Sequence, residues 1–95
     1  MTLINTYNPS EKTKDVVVEV KESNNNIILF NDEVNTFDFV IDTLIELCKH
    51  EPEQAEQCAL IVHHKGKCDV KAGEYIKLEP ICSEMLRRGL SAEIQ

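Results

Sequence analysis

The sequence predicts an α+β domain: a small two-layer sandwich with a three-stranded antiparallel sheet and three helices on one of its faces, in the order β-α-α-β-α-β. Three observations point there. A short apolar run, NIILF, sits between asparagines and has the length of a strand. Apolar residues then recur at helical spacing through TFDFVIDTLIELCKH. Two further helical patterns follow, set apart by Gly66 and Gly73 with a strand-like stretch between them. A length of 95 residues allows one such domain and a tail.

Residues 1–24 divide into a polar head, MTLINTYNPSEKTK, the patch DVVVEV and the start of the solvated stretch KESNNN. They are expected to form a flexible N-terminal extension, with DVVVEV pairing at most transiently as an edge strand. The folded core is expected over 25–95, beginning with a strand at 27–30. Asn35 is the expected N-cap of the first helix, with Asp38 three residues on closing a capping box. Phe37, Val40, Ile41, Leu44, Leu47 and Cys48 make one buried stripe along that helix.

Pro52 suits the first turn of a second helix, and Glu51 and Glu53 favour its positive end. This helix is expected to run to about His64, burying Ala55, Cys58, Ala59 and Val62, and to stop at Gly66. A strand follows over 67–71, and Gly73 then opens a third helix, EYIKLEPICSEMLRR. Pro80 inside that pattern either kinks the helix or marks its true first turn. Gly89 ends it, and residues 90–94 alternate as a last strand.

A net charge of −7 argues against non-specific nucleic-acid binding and favours partners that carry positive charge. The N-terminal stretch lacks a basic region followed by an apolar one, and no apolar run approaches ~18 residues. No membrane association is expected, and the chain is placed in the cytoplasm. Cys48, Cys58, Cys68 and Cys82 include no C-x-x-C pair and are read as reduced thiols on apolar faces.

The residues with chemistry to offer lie in two places. NDEVNTF, directly after the first strand, offers Asn31, Asp32 and Glu33; VHHKG, at the end of the second helix, offers His63. An amide oxygen, a carboxylate and a neutral imidazole nitrogen are all acceptors. Brought together they would suit an ammonium group, which has three donors and a positive charge. Kept apart they would be ordinary: turn-forming Asn31 and Asp32, solvated Glu33, and a histidine favoured by the helix dipole. Spacing alone leaves both readings open. Cys58, His63, His64 and Cys68 have no common zinc spacing, and no feature near the cysteines suggests an activated thiol; no metal, no cofactor and no catalytic residue is expected. Glu51, Glu53 and Glu56 read as a solvated face, and Arg87 and Arg88 as partners of a helix C-terminus.

LFNDEVNTFDFVIDTL together with AEQCALIVHHKGK resembles ClpS, the bacterial adaptor of the AAA+ protease ClpAP. The two blocks stand at the family's separation, and the likeness runs without a gap from residue 27 to 67. The resemblance implies an N-recognin of the N-end rule pathway. Such a protein binds others through a destabilising, bulky hydrophobic N-terminal residue, an N-degron, and delivers them to a Clp unfoldase. It implies that Asn31, Glu33 and His63 hold the α-amino group, with Asp32 supporting the turn. It further implies a side-chain pocket of Leu29, Asp32, Asn35, Phe37, Val40, Ala59, Val62 and Leu90. The implied partner is the N-terminal domain of a ClpA- or ClpC-type unfoldase, met by a monomeric adaptor near residues 71–77.

The chain departs from the family at three of these positions. Glu33 stands where Asp is more frequent, and Phe37 and Ala59 stand where Met is common. One wall is thereby enlarged and the other reduced, which reshapes the pocket. The rival expectation is a protein–protein module without peptide-end recognition, similar in architecture to the C-terminal domain of the ribosomal stalk protein.

Overall fold

Strand β1, Asn25–Phe30, occupies the centre of the sheet. Its Ile27, Ile28 and Leu29 are consecutive and all buried, so side chains on both faces of the strand are covered. In the computed structural model, which describes residues 25–95, β1 is flanked by β2 (Lys67–Gly73) and β3 (Ser91–Ile94). The order across the sheet is β2-β1-β3, and both pairings are antiparallel. Three helices complete the expected α+β order: α1 (Phe37–Cys48), α2 (Pro52–Lys65) and α3 (Tyr75–Arg87). The DVVVEV patch and the expected extension lie outside the described residues.

One hydrophobic cluster joins the sheet to the helices. Ile27 and Leu29 from β1, Leu44 and Cys48 from α1, Ala55, Cys58 and Val62 from α2, and Leu78, Cys82 and Met85 from α3 all belong to it. Each large aliphatic side chain so buried contributes about 1.5–3 kcal/mol. The register shifts between Ile27, opposite Lys71, and Ile28, opposite Asp69, so Val70 forms a bulge. The buried His50 donates from Nε2 to the Val70 carbonyl at 2.7 Å, which anchors this bulge to the end of α1.

Three local expectations are corrected. Thr36, not Asn35, is the N-cap of α1: its hydroxyl accepts from the Phe39 amide at 3.0 Å. Asn35 is drawn into other contacts, described below. Strand β2 extends beyond residue 71 to Gly73, because Ala72 and Gly73 pair with Asn26 and Asn25. Pro80 neither starts nor interrupts α3. The carbonyl it cannot satisfy belongs to Ile76, which shares its exposed face, so water can meet that group.

Candidate functional site

The site begins where β1 ends. Phe30 pairs with Lys67 on one side and with Ser91 on the other, so the chain leaves the sheet between the start of β2 and the start of β3. The Asn31 amide then donates to the Gly66 carbonyl at 2.9 Å. Gly66 is the C-cap of α2, at φ 96°, a left-handed conformation that glycine adopts without steric cost. This bond fixes the last turn of α2, which carries His63, against the strand exit that carries Asn31 and Glu33.

Asp32 shapes the next turn. Its Oδ1 accepts from the amides of Val34 and Asn35, both at 2.9 Å, and its Oδ2 accepts from Asn35 Nδ2 at 2.9 Å. The Asn35 amide bond heads the causes that hold the Asp32 carboxyl below the usual carboxylate range. Asn35 Nδ2 also donates to the Gly89 carbonyl at 2.9 Å, tying the turn to the loop that leads into Leu90. The β1–α1 turn, the end of α2 and the α3–β3 loop are thus latched together by hydrogen bonds.

Between them lies a cavity of about 480 Å³, within the range of small-ligand sites. Leu29, Ala59, Val62 and Leu90 are its buried apolar residues, and Val40 and Phe37 of α1 line it as well. Asn31, Asp32, Glu33, Asn35 and His63 supply its polar lining. Every residue that the family resemblance implied for the site lines this one cavity, including those of the two separate blocks. Phe30 lines it too; as an apolar residue within a strand pattern, it carried no signal that set it apart.

Asn31, Glu33 and His63 are exposed at this cavity, and among the described residues their side chains form no hydrogen bond or ion pair. The His63 ring lies edge-on to His64, with centroids 5.0 Å apart. The cavity therefore combines an apolar interior with polar side chains whose acceptor capacity is unused among the described residues.

The remaining candidates sit elsewhere or are already paired. Cys48, Cys58 and Cys82 are buried and Cys68 is partly so, all as free thiols. Burial pushes the Cys48 thiol up to about 11 and the Cys68 thiol up to about 12, the reverse of what an attacking thiolate needs. Among the described residues no group of three or more His, Cys, Asp or Glu is placed to hold a metal ion. None of the described helices is long and apolar enough to cross a membrane. Arg87 and Arg88 are engaged with carboxylates: Arg87 with Glu84, and Arg88 with both Glu84 and Glu46.

Comparison with known proteins places these features in context. Residues 11–93 match the family model described as "ATP-dependent Clp protease adaptor protein ClpS". The ClpS adapter protein of Campylobacter jejuni (strain 81-176) is 45% identical over 40 residues, which cover 42% of each chain. That of Shewanella halifaxensis is 38% identical over 63 residues, covering 65% of this chain and 62% of its own. The matched segments thus span from under half to under two thirds of these relatives. In fold, the chain is similar to Agrobacterium tumefaciens ClpS2 bound to L-phenylalaninamide. The TM-score is 0.73 at 18% identity, covering 78% of this chain and 96% of that one.

Proposed function

The chain belongs to the ClpS family of Clp protease adaptor proteins, and from that premise we propose that it captures proteins by a free N-terminus bearing a bulky hydrophobic first residue and hands them to a Clp unfoldase. One observation carries the reading: an apolar cavity bordered by Asn31, Glu33 and His63, whose acceptor atoms are unused among the described residues. Asn31, Glu33 and His63 receive the α-ammonium group, Asp32 and Asn35 hold the turn that presents the first two, and the cavity takes the first side chain.

The chemistry discriminates by itself. A free N-terminus offers several charge-assisted donors, each worth about 1.5–3 kcal/mol, whereas an internal amide offers one neutral donor. Burying a Leu or Phe side chain adds about 1.5–3 kcal/mol. Less the costs of association, these terms place affinity near the micromolar range, which suits a cargo that must be released again. The ligand named with the Agrobacterium protein, an aromatic amino-acid amide, has the same two features, a free α-amine and a bulky apolar side chain. The partner in this reading is the N-terminal domain of a ClpA- or ClpC-type unfoldase, which supplies ATP hydrolysis; this chain performs no chemistry and needs no cofactor.

Fluorescence anisotropy tests it with a peptide beginning in Phe, free or acetylated at its α-amine. The free peptide is expected to bind, and acetylation to weaken it by about 100-fold or more. Equal affinities would contradict recognition of a chain end and leave a protein–protein module that uses some other surface.

A further inference from the structure

Four residues of α2 are buried, and they divide unevenly. Ala55, Cys58 and Val62 belong to the hydrophobic core cluster, whereas Ala59 does not, although it is only 3% exposed. Ala59 does line the cavity. Its methyl group is therefore buried beside the cavity without belonging to that cluster. It is also the smallest side chain along the lining, and Phe37, at the start of α1, lines the same cavity with an aromatic ring.

We propose that Ala59 sets the depth of the cavity and thereby makes the site selective for aromatic first residues, with the indole of Trp preferred over the branched side chain of Leu. The inference rests on the N-terminus reading above and adds to it a ranking and the residue that controls it. An apolar cavity that its occupant fills only in part loses dispersion contacts around the residual void, and the loss grows with the void's volume. A short side chain at position 59 leaves room that a leucyl group does not reach and a two-ring group does. The ring of Phe37 supplies an aromatic wall, which favours an aromatic guest in edge-to-face or offset contact.

Because Ala59 lines the cavity, a longer side chain at this position takes up cavity space. Met is compatible with a helix interior, so Ala59→Met is the informative change. Ala59→Val is a smaller step, and thermal melting reports whether each variant folds. Anisotropy is measured with free-amine peptides beginning in Trp, Phe and Leu, and with an acetylated Phe control. Native protein is expected to bind Trp and Phe more tightly than Leu. Ala59→Met is expected to weaken the Trp peptide about 10-fold or more while changing Leu by less than about 3-fold, the scale on which apolar pockets sort side chains by size. Ala59→Val should fall between.

Two outcomes overturn the proposal in distinguishable ways. If native protein binds the free-amine peptides but prefers Leu, or if folded Ala59→Met weakens all three alike or alters none of them, Ala59 does not set an aromatic preference and the N-terminus reading stands. If native protein binds none of them, or binds the acetylated control equally, the N-terminus reading fails and takes the ranking with it.

Discussion

The two ends of α1 meet polar groups in opposite ways. Near its C-terminus, Glu46 accepts two hydrogen bonds from Arg88, at 2.9 and 3.1 Å, and Arg88 Nε reaches Glu84 Oε2 at 2.8 Å. Arg87 closes on the same Glu84 carboxylate from the other side. Every charge in that cluster has a partner, and the cluster clips α3 to α1. At the other end, Phe37 and Val40 face a cavity edged by Asn31, Glu33 and His63, whose side chains have no partner among the described residues. Asp32 sits beside these three with three accepted hydrogen bonds, as fully used as Glu84. A polar group spent within the molecule holds shape, and one left open beside an apolar hole is available to a ligand. The contrast sets a paired, structural end of α1 against an end that borders the open cavity.

Replacing Asp32 should have the largest effect, because it removes shape from the recognition end. Asp32→Ala loses the acceptor for the Val34 and Asn35 amides and displaces Asn31 and Glu33 together. Peptide affinity should fall by about 100-fold or more, and denaturant unfolding should show a stability loss of about 1–2 kcal/mol. The same residue predicts a pH dependence. Its carboxyl is held below the ordinary value near 4, so it adds stability above that value and loses it as pH falls through the depressed one. The stability gap between native and Asp32→Ala protein should accordingly close in acid. A gap that persists well below the carboxylate range would assign the turn's stability to something other than this charge.

His63→Ala comes next. It should weaken binding by about 1.5–3 kcal/mol, read by anisotropy, with a melting temperature close to that of the native chain, because the ring is exposed and holds no structural hydrogen bond among the described residues. A large loss of stability would move His63 from recognition to architecture. Arg88→Ala should be the smallest change. Glu46 is 63% exposed in its pair with Arg88, so the variant should lose at most about 1 kcal/mol in denaturant unfolding and leave peptide affinity unaltered. A loss of affinity would show that the two ends of α1 are coupled.

The fold was legible in the sequence wherever one face of an element alone had to be buried. The stripe of Val40, Leu44 and Cys48 implied α1, and Gly66 implied the end of α2. What escaped depended on partners remote in the chain. Asn35 reads as an N-cap by composition, but its side-chain amide is claimed by Gly89, 54 residues away, and capping passes to Thr36. Strand β2 gained its last residues from pairing with Asn25 and Asn26, which carry no apolar signal. Arg88 reads as a helix-dipole partner until the Glu46 of another helix comes within reach. For the site, the residue types implied acceptors in two separate blocks. Their convergence depends on the backbone bond from Asn31 to Gly66, which no local pattern encodes, and only the resemblance of both blocks to one family anticipated it.

The claim that these open acceptors take a cationic chain end is tested most directly by nitrogen–proton correlation NMR during titration with phenylalaninamide and, separately, with its N-acetyl derivative. Phenylalaninamide should shift the backbone amides of Asn31, Asp32, Glu33, Ala59, Val62 and His63, while the acetylated compound at the same concentrations leaves them in place. The same residues shifting with both compounds, or shifts confined to other parts of the molecule, would contradict it.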